Sequence, residues 1–193
     1  MNIPRCLSCL ALVSWLALTA QAAAPAYQVD SAKSSLGFTA TQEGAKFDGT
    51  FHKFTAKISF SPADLAASCF DVTVDPASAD TQEGDRDGTL KGADFFDVAR
   101  FKTAHYITGA FSKVDATHFT ATGKLTVRNV TREVPIAFTF TERNEGGKNV
   151  VYLAGTANLK RLEFGLGQGD YADTSSLADA VQVKFNLRLT ASQ

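Results

Sequence analysis

Alternation of apolar and polar residues, repeated along most of the chain, constrains the fold more than any other feature. The cleanest run lies near the C-terminus, where Val181, Val183, Phe185, Leu187 and Leu189 fall on one side and Gln182, Lys184, Asn186 and Arg188 on the other. A period of two puts successive side chains on opposite faces of a strand, so each such run predicts a strand with one buried face. Leu36, Phe38 and Ala40 repeat the pattern, as do Phe47, Gly49 and Phe51, then Ala56, Ile58 and Phe60, and Phe70, Val72 and Val74. Further on, Phe119, Ala121, Gly123, Leu125 and Val127 form one face, and Val134, Ile136, Phe138 and Phe140 the next. His105, Ile107, Gly109 and Phe111 read as one face of their strand, opposite Ala104, Tyr106, Thr108 and Ala110. Phe54 restarts the alternation out of phase with Phe51, which predicts a bulge.

Roughly eight strands joined mostly by short turns point to an antiparallel barrel or a two-sheet sandwich. Two sections resist strand assignment. From Thr81 to Asp97 a charged, glycine-broken stretch ends in Phe95-Phe96 between Asp94 and Asp97, with a turn or two of helix expected over Asp85 to Lys91. Such a segment is either a lid or a surface crossover pinned to the core by its two phenylalanines. The other section, Gly165 to Ala178, is rich in Gly, Asp and Ser. A short helix is also expected over Pro62 to Ala67, N-capped by Ser61.

Residues 1–22 read as a secretory signal peptide, with a basic start at Arg5, an apolar run from Leu7 to Leu18, and Ala20-Gln21-Ala22 at its end. Residues 23–193 then form one exported domain, expected in the periplasm. Cys6 and Cys9 belong to the leader, so the domain keeps only Cys69, which is expected to be buried beside Phe70. The chain has 19 Lys and Arg against 20 Asp and Glu, without long runs of either sign. That balance argues against a nucleic-acid partner and supplies no polybasic membrane signal.

All 15 phenylalanines lie beyond the leader, mostly on the apolar faces. They either fill a core or line a cavity, and glycines such as Gly49, Gly109, Gly123 and Gly155 among them can leave volume unfilled. His52, His105 and His118 are scattered without metal-ligand spacing, no Ser sits in a nucleophile-elbow pattern, and Asp85, Asp87, Asp94 and Asp97 do not space as a calcium loop. The residues propose no reaction.

Ordered motifs carry a family likeness: Val29-Asp30, Ser34-Ser35 and Phe38; Gly49-x-Phe51-x-x-Phe54; Thr81, Arg86-Asp87, Leu90 and Asp94-Phe95-Phe96-Asp97; Gly123 through Arg132; then Arg161, Phe164-Gly165 and Asp179-x-Val181. On these the chain resembles the YceI-like family of exported, lipocalin-like isoprenoid-binding proteins from Tyr27 to Leu189. It departs from the family pattern at Lys102, Asn129 and Glu163.

The resemblance implies an all-β, eight-stranded antiparallel lipocalin-like barrel with short helical crossover segments, holding a polyisoprenoid such as a prenyl quinone or polyprenyl phosphate. It implies a carrier and no enzyme, with no cofactor beyond the bound lipid. The tail would lie against Phe38, Phe51, Phe60, Phe70, Phe138, Phe140 and Phe185, with Phe95 and Phe96 near the mouth, and Arg86, Lys91 and Arg161 would meet a phosphate head. Two alternatives stay open. Ala172 to Ser176 resembles forms of the domain fused to membrane b-type cytochromes, which would make it a quinone-presenting accessory with a membrane redox partner; a stress-protective module with a filled core is the other. The likeness also allows a homodimer.

Overall fold

The computed structural model describes residues 23–192, so the signal-peptide reading of residues 1–22 lies outside the described residues. Among them the chain forms eleven strands and one α-helix: β1 (Ala26–Val29), β2 (Ser35–Gln42), β3 (Ala45–Phe51), β4 (Phe54–Ser59), β5 (Cys69–Val74), β6 (Ala79–Asp80), α1 (Gly84–Lys91), β7 (Ala104–Lys113), β8 (His118–Val127), β9 (Val130–Glu145), β10 (Lys148–Lys160) and β11 (Ala180–Ala191).

All pairings are antiparallel, and β11 closes the sheet by pairing both β1 and β2. Three walls of the resulting barrel are broken strands laid end to end. Along β11, Val29 to Tyr27 oppose Leu189 to Ala191, while Ser35 to Thr39 oppose Asn186 to Gln182. β3 and β4 follow the same line against β2 and β1, and β6 and β5 against β3 and β4. With each broken pair counted once, the wall is an eight-stranded closed antiparallel barrel. Closure removes the unpaired edges that an open sheet would expose.

Side chains replace the ladder at the breaks. Between β1 and β2, where Ser31–Lys33 makes a 3-10 turn, the Ser34 hydroxyl accepts from the Arg188 amide at 3.0 Å, and the Asp30 amide donates to the Arg188 carbonyl at 2.9 Å. The out-of-phase restart at Phe54 is such a break and not a bulge. Lys53 turns the chain, its amide donating to Ser78 Oγ at 3.0 Å and its carbonyl accepting from the Asp75 amide at 2.9 Å. A bulge does occur in β7, where the register with β8 shifts between Thr108 and Ala110. The extra residue, Gly109, flips the phase, so Tyr106 and Phe111 both point inward, contrary to the single face read along this strand. The stretch Pro62 to Ala67 yields only a 3-10 turn, Leu65–Ala67, capped by Asp64, while the Ser61 hydroxyl accepts from the Asp64 amide. Cys69 is exposed: it precedes inward-facing Phe70, and alternation turns it out.

The inward face of β11 shows how the interior is filled. Leu189 and Leu187 are 0% and 5% exposed, whereas Phe185, Val183 and Val181 on the same face are only half-buried. One half of the barrel is therefore solid and the other hollow. Phe60, with no exposed surface, is the hub of the solid half; its ring centroid lies 4.8–5.8 Å from those of Phe70, Phe111, Phe119, Phe138 and Phe140. Edge-on and tilted pairs of this kind add to the gain from burial.

Two connections cover the hollow end. One runs from β6 through α1 to β7, the other from β10 to β11. They are joined at Asp94, whose carbonyl accepts from the Gly167 amide at 2.6 Å and the Gln168 amide at 3.0 Å, and by the Phe95 and Tyr171 rings, 4.9 Å apart. The second cover is also tied to the β2–β3 hairpin: the Glu43 amide donates to the Ser176 carbonyl at 2.7 Å and the Ala178 amide to the Thr41 carbonyl at 2.9 Å.

Candidate ligand-binding site

The hollow half encloses a cavity of about 430 Å³, within the range of small-molecule sites. Its floor is the top of the aromatic hub, formed by Phe70, Ile136, Leu153 and Leu187, and its wall carries Phe38, Phe51 and Phe185. Phe95 and Phe96 come in from the first cover, with Phe96 edge-on to Phe51 at 6.0 Å. Four of the seven phenylalanines expected against a tail, and both of those expected near the mouth, are thus brought together around one space. Phe60, Phe138 and Phe140 lie outside the lining, because they converge on one another in the solid half.

Sequence reasoning missed other walls. Val72, Val74, Val181 and Val183 line the cavity and were legible as inward faces; Phe47, Phe54 and Tyr106 line it as well. Tyr106 was hidden by the bulge. Its hydroxyl donates to the Val134 carbonyl at 3.2 Å, and burial pushes its pKa up to about 12.

Glycines widen the lumen. Phe38 lies across Gly49 on the neighbouring strand, Tyr106 across Gly123, and Phe185 across Gly155, each ring occupying the place a Cβ would take. Rings lie flat against the wall where the opposite residue has no side chain, leaving the centre open.

The rim is polar on the α1 side, with Gln42, Glu83, Asp85, Arg86 and Thr89 among the lining residues. Arg86 is held in place from two directions. Its guanidinium carbon sits 4.2 Å from the centroid of the Phe47 ring, and Nη2 is 3.2 Å from Glu83 Oε2. Its Nε is buried with no hydrogen-bond partner. An unmet buried donor costs about 1–3 kcal/mol, so the free site carries an incentive to gain an acceptor.

Arg161 differs. It is 4% exposed, and its guanidinium donates to five backbone carbonyls, those of Leu166, Gly167, Tyr171, Leu177 and Ala178. That uses the donor capacity of the side chain, and it pairs with no carboxylate among the described residues. Burial lowers its pKa, partly offset by the charge of Asp179. Although it lines the cavity, Arg161 serves to hold the second cover. Lys91, at the end of α1, is not part of the lining. The three histidines each pair with one aspartate: His52 with Asp80, His105 with Asp71 and His118 with Asp115.

A family model described as the YceI-like domain matches residues 27–189. A UPF0312 protein of Azotobacter vinelandii is 31% identical over 185 residues, covering 93% of this chain and 95% of its own length. One from Vibrio cholerae is 29% identical over 180 residues, covering 90% and 95%. Among solved structures, Burkholderia cenocepacia BcnA superposes with a TM-score of 0.78 at 31% identity, over 83% of this chain and 99% of that one. A polyisoprenoid-binding domain from Saccharophagus degradans implicated in plant cell wall breakdown shares the fold at 15% identity, with a TM-score of 0.67 over 87% and 99% of the two chains. With its closed barrel and the match across nearly all of its strands, the chain belongs to the YceI-like domain family.

Proposed function

We propose that this protein is a non-enzymatic carrier, exported to the periplasm, that holds the apolar tail of an amphiphilic isoprenoid lipid in the hollow half of its barrel. The observation that carries this reading is the division of the interior, with an aromatic floor at Phe70 beneath a Phe-walled cavity of about 430 Å³. A purely structural module would gain by filling that space, since packing to uniform density is the norm for protein cores. The fold shared with a polyisoprenoid-binding domain supports the ligand class. Each buried CH2 of such a tail gains about 0.8 kcal/mol, offset in part by the cost of ordering the chain. The leader-like pattern of residues 1–22 supports export.

The test is native mass spectrometry of protein purified from its source, with organic extraction of the bound lipid, alongside a fluorescence titration of the Phe51→Trp variant with a prenyl quinone. Recovery of an isoprenoid and a saturable signal are expected. A lipid-free protein, together with a Phe51→Trp variant whose fluorescence is silent to the quinone, overturns the reading.

A further inference from the structure

We infer that the rim of this cavity selects a neutral, oxygen-bearing head group and rejects a phosphate, with Arg86 as the donor that recognises the oxygen. The inference rests on the carrier reading and adds the chemistry of the head.

The charged groups of the rim come from one short segment. Glu83, Asp85 and Arg86 all line the cavity at the start of α1, so two carboxylates and one guanidinium share this part of the rim. That guanidinium is already engaged by one of them, Nη2 to Glu83 Oε2 at 3.2 Å. A phosphate brought to Arg86 would compete with Glu83 for the same cation, on a rim that also carries the negative charge of Asp85. At the N-terminus of α1, Glu83 Oε1 already accepts the Arg86 amide at 3.4 Å and the Glu83 carbonyl the Asp87 amide at 3.0 Å. Arg161, the other cation of the lining, has its donors on five carbonyls.

A neutral acceptor meets none of this repulsion. Arg86 Nε has no partner, and the side chain remains partly accessible, so a rotamer shift against Phe47 presents Nε–H to a carbonyl or hydroxyl oxygen while Glu83 keeps the charge. Gln42 and Thr89 on the same rim supply further uncharged polar groups. The head that fits is a quinone or an alcohol on an isoprenoid tail.

The experiment compares a prenyl quinone, a polyprenyl alcohol and a polyprenyl phosphate of one tail length, titrated against the full domain. The two neutral ligands are expected to bind at least about tenfold more tightly than the phosphate, a difference equivalent to about 1.4 kcal/mol. The quinone and alcohol arms identify which neutral oxygen is preferred. In the double variant Glu83→Gln/Asp85→Asn the neutral-to-phosphate ratio should collapse about tenfold, and added salt should narrow the ratio in the unmodified protein. A phosphate that binds as tightly as the neutral ligands, or a ratio unmoved by the double variant, overturns the inference while leaving the carrier reading intact. Failure of all three ligands to bind overturns the carrier reading, and the inference with it.

Discussion

Arg161 donates through Nη2 to the carbonyl of Leu177 at 2.6 Å, fixing the far end of the second cover to the residue that follows β10. Four more carbonyls, from Leu166 to Ala178, converge on the same guanidinium, so one side chain organises the whole 165–178 connection. Arg161→Met should therefore leave several buried carbonyls unmet and cost on the order of 3 kcal/mol. Hydrogen exchange should show protection lost across 165–178 before the strands open. Arg161→Lys, with three donors in place of five, should recover only part of the stability by denaturant unfolding. Unchanged exchange in 165–178 would show that the cover does not depend on this residue.

Much of the wall was readable before the structure, because alternation needs only one strand to be recognised. The faces of β8, β9 and β11 match residue for residue what Phe119 to Val127, Val134 to Phe140 and Val181 to Leu189 imply. The bulge at Gly109 left no mark, since a glycine fits either phase of an alternating run. Nor could the sequence distinguish lining from floor. Phe60, Phe70, Phe138 and Phe185 sit in equivalent patterns, and only the convergence of separate strands decides that Phe60 is a hub and Phe185 a wall. Arg161 was legible as a cation but not as a pin, because its partners are carbonyls, which every residue carries.

The division between hub and wall predicts two separable phenotypes. Phe60→Ala removes a ring with no exposed surface from contact with five others, and should cost about 3–5 kcal/mol. Phe185→Ala removes a half-buried wall residue, should cost less than about 2 kcal/mol, and should weaken tail binding more than Phe60→Leu does. Chemical denaturation and quinone titration on the same three variants test this. Equal destabilisation by Phe60→Ala and Phe185→Ala would mean that the hollow half is packed in solution.

Tyr106 gives the cavity a spectroscopic reporter. Burial raises its pKa from 10.0 to about 12, so the neutral phenol is favoured in the folded state. A raised pKa of this kind contributes stability that is fully present below about pH 10 and is lost as pH climbs through about 12. Spectrophotometric titration of the native protein should show the Tyr106 tyrosinate forming near pH 12, and Tyr106→Phe should remove that step. A ligand in the cavity excludes more water from the ring and should move the transition higher. A Tyr106 phenol that ionises at its ordinary value would contradict the enclosed position of the ring.

Two glycines separate the shape of the lumen from the stability of the wall. The atoms nearest a Cβ at Gly49 all belong to the ring of Phe38, a side chain bordering the cavity, whereas a Cβ at Gly155 would meet the backbone carbonyl of Ala137 as well as Phe185 and Phe138. Gly155 stands opposite both phenylalanines, on β9 and β11, so its neighbours cannot all yield at once. Gly49→Ala should therefore keep its stability to within about 1 kcal/mol, since alanine also lowers the entropy of the unfolded strand. The displaced Phe38 ring then takes up lumen volume, and affinity for a long-tailed quinone should fall more than for a short-tailed one. Gly155→Ala should lose stability first, by about 1–3 kcal/mol, as backbone shifts absorb the overlap. Thermal unfolding and paired titrations with long and short prenyl quinones read out both effects. A Gly49→Ala protein that binds both tails as the parent does would show that the ring of Phe38 does not set the width of the cavity.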